Sequence, residues 1–170
     1  TAPELAGATI VDKSPCSVHS SLDSKSHGTA MASLLVSKTY GVAPDATLLT
    51  YQTGFNDDGD DAGAECAVRN GNGIEENKSL INRAISDGAQ IISISTSDED
   101  FDDSTKWAIA HANARGVIVV SAMGNDAKDE TDTGLAKWSG VVGVGAIDTN
   151  GMVASYSSWG QGTSIAAVGG

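Results

Sequence analysis

Short apolar runs alternate with helix-like stretches along this chain. Three of the runs are continuous, rich in β-branched residues and bounded by Gly or Asp, which is typical of buried strands. They cover residues 90–95, 116–122 and 141–146, and two further candidates cover 8–11 and 46–51. The pattern therefore predicts five short strands.

Two of the intervening segments have helical periodicity. In the first, the apolar positions share one face of a helix, and Gly88 suits the residue after its C-terminus. These positions are Leu80, Ile81, Ala84 and Ile85. The second helix is predicted between a cap at Asp103 or Ser104 and a stop at Gly116. Its apolar residues are Trp107, Ala108, Ala112 and Ala114.

Strands that alternate with helices at this spacing predict right-handed crossovers and a parallel sheet, and hence an α/β fold. In such sheets, function collects in the loops that leave the carboxyl ends of the strands. Residues 54–77 are rich in Gly, Asn and Asp and have no convincing period. We interpret them as a surface excursion between a strand and a helix.

Composition narrows the class of protein. The chain has 170 residues, of which 40% are hydrophobic, and its mean hydropathy is −0.11. These values suit one compact domain over residues 1–170 and exclude an intrinsically disordered chain. A net charge of −12 and a pI near 4.3 argue against a nucleic-acid partner, whose phosphates need a basic face. No apolar run approaches the roughly 20 residues of a membrane helix, so we expect no membrane partner.

The two cysteines, Cys16 and Cys66, leave two interpretations open. A disulfide between them would close a loop of about 50 residues and stabilise the fold by a few kcal/mol. Two buried free thiols are the alternative. The acidic composition favours an exported protein, in which a disulfide would persist. We therefore expect a secreted, extracellular protein.

Carboxylate, imidazole and carboxamide groups lie at the ends of predicted strands or at the start of a predicted helix. Asp12 directly follows the strand at 8–11, and Asn125 follows the strand at 116–122. His27 lies where a helical run begins, and the positive end of a helix dipole would disfavour imidazolium there, which keeps a base available. Together the three groups suit acyl transfer, as orienting carboxylate, general base and oxyanion stabiliser. Taken singly, each is more common as a cap, turn or structural residue.

Five sequence blocks give this trio a context. In chain order they are SHGTAMASLL, YGVAPDATLL, AQIISIS, ARGVIVVSAMGND and VVGVGAIDTNGMVASYSSWG. Their order and spacing resemble the subtilisin-like serine proteases over nearly the whole chain. The resemblance implies a mostly parallel sheet sandwiched between helices. It also implies hydrolysis of peptide bonds, in peptide or protein substrates, by a serine nucleophile.

The resemblance assigns a role to each member of the trio. His27 in SHGT matches the family's general base, and Asn125 in AMGND matches its oxyanion donor. Asp12 matches the carboxylate that orients the histidine, although Lys-Ser follows it instead of the usual Thr-Gly. The stretch from Asp12 to His27 is shorter than is usual in the family, so Asp23 is the alternative carboxylate.

The serine nucleophile is the missing part of the pattern. Residues 162–166 (GTSIA) differ from the family's Gly-Thr-Ser-Met-Ala motif only at the isoleucine, which makes Ser164 a candidate. However, the block after ASYSSWG matches a strand of the family, and too few residues follow Ser164 to form the helix that the motif opens. We therefore expect the nucleophile beyond residue 170, on a complementary carboxy-terminal segment.

Two rival functions belong to other classes. A relative without its serine would be a non-catalytic peptide-binding or scaffolding protein, but binding alone does not need the trio. A metal hydrolase is disfavoured because the histidines have no ligand spacing such as HExxH. We interpret His19 and His111 as structural. No cofactor is required, and a structural calcium ion would agree with the resemblance, although no ligands can be assigned to it.

In the family, the substrate binds as an added strand between two protein segments. The resemblance places Ser95, Thr96 and Ser97 in one of these segments. It places Gly54 in the other and Met123 in a wall of the specificity pocket. Two acidic clusters flank these segments; they comprise Asp57, Asp58, Asp60 and Asp61, and then Asp98, Glu99, Asp100, Asp102 and Asp103. We interpret them as solvated surface, with a preference for cationic substrates as the alternative.

Overall fold

The computed structural model describes residues 2–14, 22–51, 77–96, 101 and 103–169. Contacts divide the chain into two compact units, residues 1–76 and 77–170. The cysteine pair, most of the excursion at 54–77 and all members of the acidic clusters except Asp103 lie outside the described residues. The expectation of one domain over residues 1–170 stays a prediction.

Among the described residues of the first unit, a pair of parallel strands and one long helix are found. A 3₁₀ turn at Pro3–Leu5 precedes β1 (Thr9–Asp12), which pairs in parallel with β2 (Thr47–Thr50). Helix α1 (Leu22–Val36) lies between the two strands in the chain, and its last residue, Val36, is buried. The two strands end side by side at Asp12 and Thr50, so β1 delivers its final carboxylate to the end of the pair.

The second unit, as far as its residues are described, has a four-stranded parallel sheet, two α-helices and a 3₁₀ turn at Leu135–Lys137. Its strands lie in the order β3-β4-β5-β6, which is also their order in the chain. In sequence, the elements are α2 (Asn77–Ser86), β3 (Ile91–Ile94), α3 (Asp103–Ala114), β4 (Ile118–Ala122), β5 (Val141–Ile147) and β6 (Thr163–Val168). The predicted α/β fold with a parallel sheet is therefore confirmed.

Both helices of this unit end in a glycine with a left-handed backbone. Gly88 has φ +88° and its N–H donates to Ile85 O, while the next residue, Ala89, donates to Ala84 O. The same two bonds recur around Gly116 (φ +75°) at the end of α3. This is the Schellman arrangement, in which glycine satisfies the last carbonyl groups of a helix. It explains why each helix ends just before its predicted glycine.

Among the described residues of the second unit, helices cover one face of the sheet and leave the other face open. Alternate strand residues, such as Val119 and Val141, pack into a hydrophobic cluster with Ile81 of α2 and Ile109 of α3. The opposite face is apolar as well and carries large exposed residues. They are Ile91, Ile118 and Ile165, which are 62%, 50% and 55% exposed.

Three details of the predicted elements need correction. Helix α1 begins at Leu22, several residues before the predicted start at His27. Trp107 of α3 is 72% exposed, whereas Ile109, which was not among the predicted apolar residues, is 1% exposed. The five predicted strands are confirmed, each with ends shifted by at most a few residues. Among the described residues, no helix is long and apolar enough to cross a membrane.

Candidate active site

Asp12, the last residue of β1, is held as a carboxylate by a near neighbour in the chain. Its Oδ1 accepts hydrogen bonds from the backbone N–H of Ser14 at 2.9 Å and from the Ser14 hydroxyl at 2.5 Å. These bonds favour the charged form and hold the pKa of Asp12 below its ordinary value, with a smaller contribution from the hydroxyl of Thr50. The Lys-Ser that replaces the family's Thr-Gly therefore supplies two donors to the carboxylate.

His27 lies inside helix α1, which begins at Leu22. The prediction that His27 opens the helix is wrong, and the dipole argument, which acts over the first turn, does not apply to it. The side chain is exposed. Asp23, the alternative carboxylate, is the second residue of the same helix. Asp12 and His27 thus both belong to the first unit.

Asn125 belongs to the second unit and follows β4 closely. Between them lie Met123, which is 4% exposed, and Gly124, which has φ +102°. The buried methionine and the left-handed glycine turn the chain out of the sheet, and Asn125 is exposed. Within the part of the chain that the structure describes, no group forms a hydrogen bond with its carboxamide. A donor of this kind is free to meet an oxyanion.

The backbone around Asn125 is tied to residues 156–159. Ser158 N donates to Gly124 O at 3.0 Å, and Asp126 N donates to the Ser158 hydroxyl at 3.2 Å. Ala127, with φ +51°, donates its N–H to Tyr156 O at 3.0 Å. No local sequence pattern predicts this arrangement. Its one signal was the SYSSWG block, which the family resemblance used only as a landmark.

Charged groups follow Asn125 in the same loop. Glu130 is 6% exposed, and its Oε1 lies 3.4 Å from Lys128 Nζ. The same ammonium group lies 3.5 Å from Asp126 Oδ2. Glu130 N also donates to Trp159 O at 2.7 Å, so the buried carboxylate belongs to a loop that is fixed at both backbone and side-chain level.

The predicted substrate-binding residues are only partly described. Ser95 and Thr96 directly follow β3, at the carboxyl end of the sheet, whereas Gly54 and Ser97 lie outside the described residues. Met123 packs in the hydrophobic cluster beneath the Asn125 loop. The assignment of these residues to substrate binding stays a prediction.

Ser164 and two histidines are the other residues that the sequence singled out. Ser164 lies in β6, where its hydroxyl accepts from Gly143 N at 3.3 Å; it does not open a helix. His111 lies on α3, and its Nδ1 is 2.9 Å from Asn82 Oδ1 of α2. His19 is outside the described residues. Among the residues that the structure describes, no three His, Cys, Asp or Glu side chains form a group that could hold a metal ion.

Comparison with curated proteins identifies relatives of known class. The thermostable alkaline protease of Halalkalibacterium halodurans is 30% identical over 168 residues, which cover 96% of this chain and 42% of the relative. Subtilisin BL of Lederbergia lenta is 29% identical over 177 residues, which cover 99% of this chain and 60% of the relative.

Solved structures show the same relationship. The prenylagaramide maturation protease PagA superposes with a TM-score of 0.74 at 25% identity and covers 98% of this chain. The patellamide maturation protease PatA gives a TM-score of 0.71 at 25% identity, also over 98% of this chain. The chain spans 57% and 60% of these two structures. Residues 11–170 match the subtilase family itself, and the chain therefore belongs to that family.

Proposed function

We propose that this chain is part of a serine endopeptidase. In the proposed reaction, His27 takes the proton from a serine hydroxyl as the serine attacks the peptide carbonyl carbon. Asp12 orients the imidazole and stabilises its protonated form, and the Asn125 carboxamide donates to the tetrahedral oxyanion. His27 then returns the proton to the leaving amine, and water releases the acyl group from the serine.

The carboxamide of Asn125, which is exposed and has no hydrogen-bond partner among the described residues, carries this proposal. It emerges directly from the carboxyl end of a parallel strand, where α/β folds place their sites, and its backbone neighbours are held by Ser158. Asp12 supports the same function because its Ser14 bonds favour the ionised form that can accept from an imidazole N–H. The 170-residue chain spans less than two thirds of its relatives, so the activity is proposed for the whole protein.

We further propose that the nucleophilic serine lies on a complementary segment outside these residues. Ser164 is disfavoured because it lies in a strand and its hydroxyl is engaged with the backbone of β5. The open face of the sheet favours a covering segment, since a contiguous apolar face of this kind marks an interaction surface. A segment that covers this face and places the serine at the carboxyl end of the sheet would complete both the packing and the chemistry.

A serine-directed fluorophosphonate tests the proposal. The full-length protein is treated with the reagent, and the adduct is located by mass spectrometry. An adduct on a peptide outside residues 1–170 is the expected result. An adduct on Ser164 would overturn the position of the nucleophile but not the protease, and a folded protein without any adduct would favour the non-catalytic relative.

A narrower version of this function is favoured by one observation. The maturation proteases PagA and PatA each cover 98% of this chain at 25% identity. We therefore propose, as a second candidate, a processing protease that cleaves one precursor rather than proteins in general. Cleavage of unfolded casein at many sites, at a rate similar to that for short peptides, would count against it.

The cofactor and location predictions also stay proposals. No cofactor enters the proposed reaction, and a calcium ion would serve only as a structural element. The acidic composition supports a site of action outside the cell. Loss of stability on addition of a chelator would test the calcium proposal, and recovery of the protein from culture medium would test the location.

A further inference from the structure

Ser158 is a buried polar residue that contacts the backbone on both sides of Asn125, yet the proposed reaction gives it no part. It is 1% exposed, and it lies far from Asn125 in the chain. Its backbone N–H donates to the carbonyl of Gly124, and its hydroxyl accepts from the N–H of Asp126. One residue therefore contacts the two peptide groups that flank Asn125.

This geometry constrains the direction in which the carboxamide points. The conformation of Asn125 relative to the sheet depends on the two peptide units on either side of it, and Ser158 fixes one atom of each. Gly124 has φ +102°, and a Cβ at that position would lie 3.3 Å from the Ser158 hydroxyl oxygen. The close approach of Ser158 is thus built around the absence of a side chain at residue 124.

Three further backbone bonds extend the contact in both directions. Ala127 N donates to Tyr156 O, Trp159 N donates to Lys128 O, and Glu130 N donates to Trp159 O. They hold a loop that includes a non-glycine residue with positive φ, Ala127, a conformation that persists only where the surroundings impose it. The loop after Asn125 is therefore held along its length by residues 156–159.

We infer that Ser158 is a positioning residue for the oxyanion donor, acting through Asn125. The inference rests on the proposed protease function. An oxyanion donor stabilises the transition state only when it is already aimed at the place where charge develops, and a small displacement reduces turnover strongly. Ser158 itself touches no reacting atom.

The chain supplies a matched control in Ser157. This neighbour is 3% exposed, and its hydroxyl accepts from Ala146 N of β5 at 2.9 Å and donates to Ser158 O at 3.0 Å. Ser157→Ala therefore removes an equally buried hydroxyl from the same segment without removing a contact to residues 124–126. Loss of stability alone should affect both alanine variants in a similar way.

The test is a double-mutant cycle in the full-length protein. Ser158→Ala is expected to lower kcat about tenfold with KM changed less than about twofold. Ser157→Ala should leave kcat within about twofold. In the Asn125→Ala background, Ser158→Ala should change kcat by less than about twofold, because its effect passes through the absent carboxamide. An equal loss of kcat in both backgrounds would overturn the positioning role.

Amide hydrogen exchange gives a second readout that does not need turnover. Ser158→Ala should speed exchange at the Asp126 amide, which loses its acceptor, and Ser157→Ala should not. Unchanged exchange at Asp126, or unchanged kcat in Ser158→Ala while the wild type turns over, would overturn the inference alone. A wild type that shows neither turnover nor a fluorophosphonate adduct would overturn the proposed function and the inference together.

Discussion

Two residues of the proposed catalytic trio, Asp12 and Asn125, are held by different kinds of contact. The carboxylate of Asp12 is held locally, by the N–H and hydroxyl of Ser14, two residues further along the chain. Asn125 is held by Ser158, more than 30 residues away in the sequence, and by the backbone of that distant segment. The contact between Ser14 and Asp12 forms as soon as the chain turns after β1. The contact of Ser158 with the peptides around Asn125 requires the second unit to be folded. Substitutions that disturb contacts between distant segments should therefore have the larger effects.

The largest effect is expected at Asn125, whose flanking peptide groups are held by Ser158. Asn125→Ala should lower kcat by about 100- to 1000-fold, since one oxyanion donor is lost, while KM changes little. Steady-state kinetics of the full-length protein would measure both. Turnover like that of the wild type would refute the oxyanion assignment.

A second large effect is expected where two distant segments meet at a glycine. A methyl group at Gly143 would collide with Gly162 O and lie 2.8 Å from Met123 Sδ. Gly143→Ala should therefore lower the free energy of unfolding by about 3 kcal/mol. Gly145→Ala, in the same strand, is the control, because its methyl group would meet only ordinary contacts at 3.5 Å or more. That variant should stay within about 1 kcal/mol of the wild type in chemical denaturation.

A smaller effect is expected at a local helix end. Gly88 has φ +88° with open space around its Cβ position, so Gly88→Ala adds backbone strain of about 1 kcal/mol without any collision. Gly28 lies inside α1, and no atom of the described residues lies near its Cβ position either. Gly28→Ala should instead stabilise the protein by about 0.5–1 kcal/mol, because alanine favours the helix. Changes of opposite sign in the two melting temperatures would show that backbone conformation, and not packing around the added methyl group, determines the effect.

The smallest effect is expected at Asp12. Ser14→Ala removes one of the donors that lower the pKa of this carboxyl, so the pKa should rise toward its ordinary value in a carbon-13 NMR titration. Thr131→Ala is the control, since Thr131 lowers the pKa of Asp129 in the same way and should leave Asp12 unaffected.

The stability of the protein should report the same change with a defined sign. The folded-state pKa of Asp12 lies below the unfolded value, so its contribution is present above the unfolded pKa and is lost as the pH falls through the folded pKa. Ser14→Ala brings the folded-state pKa of Asp12 closer to its unfolded value. The free energy of unfolding should therefore decrease less steeply as the pH falls. A wild-type pH dependence in the variant would contradict the role of the Ser14 bonds.

The sequence predicted what depends on local pattern. The strands and the two helix stops at Gly88 and Gly116 were predictable because apolar runs and left-handed glycines act over a few residues. The start of α1 was not, because the Ser-His-Gly sequence resembles a helix start more than a helix interior. Trp107 was expected on the apolar face of α3 with Ala112, yet the buried face contains Ile109 beside Ala112 and leaves Trp107 exposed.

Candidate residues for the site could be named from the sequence, but the contacts that hold them could not. Asp12, His27 and Asn125 could be named from motifs that resemble the family, since chemistry restricts the residue types. The contact between Ser158 and the Gly124–Asp126 peptides has no periodic signature, because it joins segments that only tertiary structure brings together. Exposure of Trp107 and burial of Glu130 are likewise set by tertiary neighbours rather than by residue type.

The parallel pairing of every described strand has a consequence for how the chain folds. Neighbouring strands join residues that are far apart in the chain, as in Thr9 with Thr47, Ile91 with Ile118 and Gly143 with Thr163. No hairpin between the described strands can form early as a local structure. Each strand pairing therefore requires closure of a long loop, with its loss of chain entropy, before any hydrogen bond between the strands can form. Folding should therefore be slow, and the apolar strands should stay exposed to other chains for much of that time.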